Sequence, residues 1–380
     1  MVAFDYKYLP VNELRVVTKE DQRTGKAIVD HVLVHDEPLK PSDRFWHSIF
    51  ARFGFGKDVF KFFDHQEVLT RISERAKNDR LRVCVERRDD GKQDMLLGVS
   101  NPNNPVVLHP ELMDMVTRYE GQNVTYTGGV VESMHVPRVT NNFDVKGDLF
   151  SHRFVMSTPI DGYGQPNIYL SLLRQICSNG MIGYSRQFRS TLALGKGNDA
   201  VQHVIGRALD GFNSDEGFAV MRQRMEAATA SWLSVGEALA LKGLVTKMHG
   251  KGTLNADDPT LLNAPALHGW VGDGVQGSPF LRAFEKMTGD ASHLYGLANL
   301  EALSLKKQRT LPVRCTVYDA MNYATEVATH YAKPEAARQL NAWVGGLISE
   351  EYDLENTKDR FSEFTDFHVE RAGADYQLAT

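Results

Sequence analysis

The spacing of apolar residues changes near residue 198, and that change decides what this chain can fold into. Before it, short runs rich in β-branched and aromatic residues are separated by turn residues; after it, apolar residues recur every three or four positions. Residues 14–18 and 27–33 flank a polar turn containing Gly25 and predict a hairpin. Pro41-Ser42-Asp43 introduces Phe45, Ile49, Phe50 and Phe53, the stripe of an amphipathic helix, and Val68, Leu69 and Ile72 mark another over residues 65–77. Residues 81–86 and 95–99 flank Asp89-Asp90-Gly91 and predict the clearest hairpin in the chain. A short helix is expected over 110–119, then strands over 123–126, 129–136, 150–156 and 186–194. Between the last two strands, Ile168, Leu172, Leu173 and Ile176 predict a helix over 167–177. Asn179-Gly180 would stop it, since both residues tolerate a left-handed backbone.

The second half reads as helices. Asn213-Ser214-Asp215-Glu216 supplies a cap and first-turn acids. Phe218, Met221, Met225, Ala228, Trp232, Val235 and Leu239 follow at helical spacing. Ser234 with Glu237 has capping-box spacing, so two successive helices are favoured over one long dimerising helix. Residues 254–278 read as a loop, 280–288 and 293–307 as helices, and Thr316 with Asp319 as another capped start. Pro334 suits the first turn of a last helix, where its missing N–H is unused. The expected class is α+β: an N-terminal, mainly antiparallel sheet with packed helices, then an all-helical region. The expected segments are 1–60 (hairpin and helix), 61–198 (α+β core), 199–350 (helical) and 351–380 (acidic).

Composition sets outer limits. With 42% hydrophobic and 24% charged residues the chain is neither collagen-like nor disordered. The formal charge of −5 sits entirely in residues 351–380, where eight acidic side chains oppose three basic. Residues 136–200 instead carry seven basic and four acidic side chains, a mildly basic middle before an acidic end. Cys84, Cys177 and Cys315 are far apart and form no C-x-x-C pair, which argues against a disulfide framework and a paired-thiolate zinc site. No apolar run approaches the ~20 residues of a spanning helix. The first eight residues lack the basic flank and apolar stretch of a signal peptide. A cytoplasmic protein with no membrane association is expected.

Few residues invite a catalytic reading. Cys177, beside Ser178 and Asn179, is the obvious nucleophile, but it lies toward the end of its expected helix, where the dipole opposes thiolate formation. A buried structural thiol is the plainer reading. Gly162-Tyr163-Gly164 and Gly195-Lys196-Gly197 lack both P-loop and dinucleotide spacing. Asn322, Glu326 and His330 share a helix face without an identifiable third metal ligand, so a packed polar stripe is favoured and no metal or cofactor is expected.

Nucleic-acid binding has a better footing. Arg153, Arg174, Arg186, Arg189 and Lys196 are interleaved with Tyr163, Tyr184 and Phe188, and single-strand binders combine cations that track the backbone with aromatic faces for bases. Arg71, Arg75, Lys77, Arg80 and Arg82 form a second basic cluster. The competing reading puts the aromatics in the core and the cations in solvent.

Asp161-Gly162-Tyr163-Gly164 with the run from Arg174 through Cys177, Asn179 and Gly180 to Met181, and the later run from Thr316 through Asn322 to Glu326, resemble a phage- and plasmid-related family, domain of unknown function 932. The likeness spans roughly residues 60–335, with Tyr323 where that family often has alanine. The resemblance implies a role in replication, recombination or defence interplay of mobile elements and brings no catalytic residue. The expectation is a non-enzymatic, homo-oligomeric protein binding DNA, single-stranded by preference. The alternative is a phage structural or host-interaction protein acting through protein contacts; an enzyme using Cys177 is a third class.

Overall fold

Alternating strands of the first hundred residues assemble one sheet with two unlike faces. The computed structural model describes residues 3–354 apart from 24, 26, 77–78, 89–90, 92, 139–141, 175–178, 183–187, 195–197, 213–214, 256–277, 298 and 350–351. In it, β1 (Ala3–Pro10), β2 (Leu14–Glu20), β3 (Ala27–Val34) and β4 (Glu37–Pro41) precede α1 (Asp43–Phe53) and α2 (His65–Arg75); β5 (Arg80–Arg87) and β6 (Met95–Ser100) follow. The six strands lie in the order β1-β5-β6-β4-β3-β2, and the β4–β6 pair is parallel. Side chains alternate across a strand. On β5, Leu81, Val83 and Val85 join Leu9, Leu14, Val32, Leu39, Phe45 and Ile49 in the apolar core, while the intervening Arg82, Cys84 and Glu86 are buried on the opposite face. Ser42 caps α1 by accepting from the Phe45 N–H at 3.0 Å, and Gly54, with φ of 71°, closes it.

The chain continues through α3 (His109–Arg118), β7 (Gln122–Thr127), β8 (Val130–His135), β9 (Asn142–Val145), β10 (Asp148–Pro159), β11 (Asn167–Arg174), β12 (Asn179–Ile182), β13 (Arg189–Thr191) and α4 (Asn198–Gly211). Residues 167–174 form a strand, which corrects the expected helix. Ile168, Leu170 and Leu172 are buried at two-residue spacing, and Ser171–Arg174 pair antiparallel with β12. A short apolar run satisfies both periods, and cross-strand pairing decides between them. Asn179 and Gly180 therefore begin a strand, opposite Arg174 and Leu173, and do not end a helix.

The remainder is α5 (Asp215–Ala230), β14 (Trp232–Ser234), α6 (Val235–Gly250), α7 (Pro279–Thr288), α8 (Ala291–Tyr295), α9 (Leu305–Thr310), β15 (Pro312–Thr316), α10 (Val317–Glu326) and α11 (Pro334–Leu347). Two successive helices, α5 and α6, stand where the capping signal separates them, with Ser234 at the N-cap of α6. Thr316 and Asp319 complete a reciprocal capping box. Two details depart from an all-helical second half. Strands β14 and β15 pair antiparallel, and the expected 293–307 helix is broken after Tyr295, where Gly296 takes φ of 59°. The architecture is α+β, with antiparallel-rich sheet first and helices after. Two compact units are discontinuous in sequence: Met1–His135, Met156–Ile168 and Thr191–Phe212 make one, and Val136–Val155, Tyr169–Ser190 and Asn213–Thr380 the other. Among the described residues no helix is long and apolar enough to cross a membrane.

Candidate nucleic-acid interface

The middle-region residues are distributed between the two units. In the second, Arg189 on β13 is exposed. Arg153 on β10 is half-buried, donates to the His152 carbonyl at 2.7 Å, and has its pKa lowered by burial. Arg174, at the end of β11, donates to Asp148 at 2.6 Å, and Asp148 also accepts from the Tyr318 hydroxyl. Burial, with Asp148 adding to it, pushes the Tyr318 hydroxyl upward. Two segments distant in sequence thus meet: Arg174 from one and Tyr318 from the other share one buried carboxylate. Phe188 is 2% exposed, so its ring packs in the core and does not stand ready to stack on a base. Glu326 is buried, whereas His330, in the π-helical turn Val327–Tyr331, is exposed. Cys177, Tyr184, Arg186 and Lys196 lie outside the described residues.

Asp161-Gly162-Tyr163-Gly164 is in the first unit, and it is an anchored loop. The Asp161 carboxylate, fully buried, accepts from Arg44 Nε and from Arg44 Nη2 at 2.9 Å, and from the Tyr163 N–H at 3.0 Å. Arg44 Nη2 also donates to the Tyr163 carbonyl, and its guanidinium lies 5.0 Å from the centre of the Tyr163 ring. Burial raises the Asp161 pKa, and Arg44 opposes that rise. Glycines make room: a Cβ on Gly98 would sit 2.8 Å from Asp161 Oδ2, and one on Gly162 2.7 Å from Arg82 Nη2. Arg82, counted above among the basic cluster, is 3% exposed and donates to Ser100 Oγ at 3.0 Å and the Asn104 carbonyl at 2.8 Å. Nearby, Glu86 accepts from the Tyr126 hydroxyl at 2.5 Å and from Arg88 at 2.8 Å. Arg44 with Asp161 and Arg88 with Glu86 are ion pairs, while Arg82 is held by neutral acceptors.

The exposed aromatic surface is elsewhere in this unit. After α1 the chain turns through Gly54 and Gly56 into a 3-10 turn, Lys57–Lys61. That turn is pinned from beneath by an aromatic cluster. Phe60 stacks on His65 at 3.9 Å, Trp46 meets Phe60 at 5.6 Å and His65 at 5.0 Å, and Phe50 meets Phe55 at 5.3 Å. Asp64 then caps α2 by accepting from the Glu67 N–H at 2.8 Å. Held between these two anchors, Phe62 is 81% exposed and Phe63 42%. The Arg71 guanidinium lies 5.6 Å from the Phe63 ring centre, and Lys57 and Lys61 begin and end the turn that precedes the two rings. Lys61 is paired with Asp58 and Arg71 with Glu67, each at 2.7 Å, both in solvent. The Glu67 hydrogen bond raises the Arg71 pKa.

Sequence reading named Arg71 and Arg75 but missed Phe62 and Phe63. The available signal was an adjacent pair of phenylalanines falling on neither helix stripe, between Lys61 and the helix-capping Asp64. The two described cysteines, Cys84 and Cys315, are buried thiols with pKa pushed up by that burial, Cys315 to about 12. Among the described residues no group of three or more His, Cys, Asp or Glu is placed to hold a metal ion. Comparison with known proteins gives no match to any family model, curated protein or solved structure.

Proposed function

We propose that this chain binds single-stranded DNA in the life cycle of a phage or other mobile element, with Phe62, Phe63 and Arg71 as its base-stacking face. The observation that carries the reading is the pair of exposed phenylalanine rings, Arg71 over one of them, beside a turn that carries Lys57 and Lys61 and is braced by five aromatic side chains. A ring exposed to that degree is costly to a molecule that leaves it in water. Stacked bases cover both faces of such rings, at about 1–3 kcal/mol per base. Lys61 and Arg71 would exchange their carboxylate partners for phosphates, and Lys57 would add a third phosphate contact. Of the expected phosphate contacts Arg153, Arg174 and Arg189, Arg189 is exposed, and it extends the reading to the second unit only as a further phosphate contact.

Fluorescence anisotropy of a labelled single-stranded oligonucleotide, titrated at several salt concentrations, tests this. Expected are binding weakened by roughly 5- to 100-fold in Phe62→Ala and in Phe63→Ala, as loss of about one stack requires. The salt slope is expected to be shallow, about −2 for three phosphates at about −0.7 each. Binding unaffected by either phenylalanine change overturns the assignment of the face. Absence of binding at low salt overturns the DNA reading and leaves protein contacts as the use of the patch, a reading consistent with Asp58, Asp64 and Glu67 balancing its cations.

A further inference from the structure

The two edges of the six-stranded sheet are finished differently. An edge strand exposes alternate N–H and C=O groups that can pair with another strand, and folded proteins ordinarily blunt such edges. At the β2 edge this is done twice. The Val16 N–H, turned away from β3, donates to Gln66 Oε1 on α2 at 2.7 Å, and the β2–β3 register shifts between Val17 and Thr18. The β1 edge has neither device. Its pairing with β5 runs without a shift from Ala3 opposite Arg87 to Pro10 opposite Arg80. Among the described residues, no side chain or strand bonds its outer backbone. Ala3, Asp5 and Tyr8 are exposed on it.

We propose that β1 pairs antiparallel with β1 of a second copy of this chain about a two-fold axis at Tyr6, making one continuous sheet. Charge selects that partner and that register. With Tyr6 opposite its own copy, Asp5 faces Lys7 of the other chain twice over, and Phe4 faces Tyr8. A shift that centres the axis on Asp5 or on Lys7 sets like charges opposite each other, and shifts by a single position turn Leu9 out of register with its face. Within one chain Asp5 is held by Arg87 at 2.6 Å, and Lys7 reaches inward to Glu37 of β4, so pairing with the copy would turn the Lys7 ammonium outward to Asp5. Asp5 is half-exposed in that arrangement and has oxygen free to take a second cation. The proposal supplies a surface for self-association and does not rest on DNA binding.

The test is sedimentation velocity of the full chain over a range of concentrations. The parent is expected as a dimer that dissociates on dilution. Asp5→Lys and Lys7→Asp, each placing two like-charged pairs across the axis, are expected to weaken dimerisation by roughly tenfold or more. The combined swap restores opposite charges and is expected to recover the dimer, which also shows that it folds. A combined swap that stays monomeric, or single changes without effect, overturns the proposed register. A second readout needs no charge change at the axis. When Asp5→Cys chains are mixed with Lys7→Cys chains of different length and oxidised, the hetero-linked product is expected in excess of either homo-linked one. Equal or smaller hetero-linked yield overturns the pairing, and a parent that is monomeric at every concentration overturns the dimer itself.

Discussion

Two arginine–carboxylate pairs of the first unit use the same chemistry to opposite ends. Arg44 and Asp161 have side-chain exposures of 25% and 0%, whereas Arg71 and Glu67 have 65% and 37%. In the first pair every donor that reaches the carboxylate is fixed, and Gly98 and Gly162 leave space that a single Cβ would fill. Removing either partner strands a charge away from water. In the second pair both groups are wet, screened by salt and able to change partners. An arginine locked on a buried carboxylate is architecture. One over an exposed phenylalanine is available to a ligand.

The largest effect that follows is on stability. Arg44→Met leaves the Asp161 carboxylate buried without its cation, and equilibrium urea unfolding at pH 7 is expected to show a loss of about 3–5 kcal/mol. That loss has a sign with pH. Burial raises the folded-state Asp161 pKa above its unfolded value, so the folded state binds the proton more readily and the penalty shrinks as pH falls. A cost that stays constant down to acid pH would mean that Asp161 is not the stranded charge. A smaller effect is expected in the second unit, where Tyr318→Phe removes one buried hydroxyl from Asp148 but leaves Arg174 in place, a loss of about 1 kcal/mol in the same measurement.

Arg71→Ala sharpens the contrast from the other side. Its unfolding midpoint is expected to lie close to the parent's, because the ion pair with Glu67 is exposed to solvent. Oligonucleotide binding is expected to weaken, and the salt slope to lose about one phosphate's share. A variant that loses stability instead would place Arg71 with Arg44 among the structural arginines.

How much of this was legible in sequence depends on how far apart the cooperating residues lie. The capped helix starts at Ser42, Ser234 and Thr316 were readable, because the cap and its partner are three residues apart. Strand β4 was not, since its hairpin turns on His35-Asp36, with φ of 49° and 63°, where glycine or asparagine is the usual signal. The helix expected over 167–177 failed because the same apolar residues fit two periods. The Asp161 loop was visible as a glycine-containing turn, yet its meaning lies in Arg44, 117 positions away. Arg82 read as part of a basic cluster and is buried, because β5 is covered on both faces.

The smallest effect concerns what holds the exposed rings in place. His65 is stacked on Phe60 beneath the turn that presents Phe62 and Phe63, and burial lowers its pKa from the ordinary 6.5. The unfolded chain therefore binds that proton more readily than the folded one, and the turn's stability is expected to fall as pH drops through the unfolded value toward the lower folded one. Trp46 reports the event, since its ring lies 5.0 Å from His65 and a protonated imidazole quenches indole fluorescence. The difference in emission between the parent and Trp46→Phe is expected to fall with a midpoint below 6.5, and His65→Phe is expected to abolish that titration. A midpoint at the ordinary 6.5 would mean that the ring is hydrated, that the aromatic brace is open, and that the contrast between a fixed turn and its exposed phenylalanines is lost.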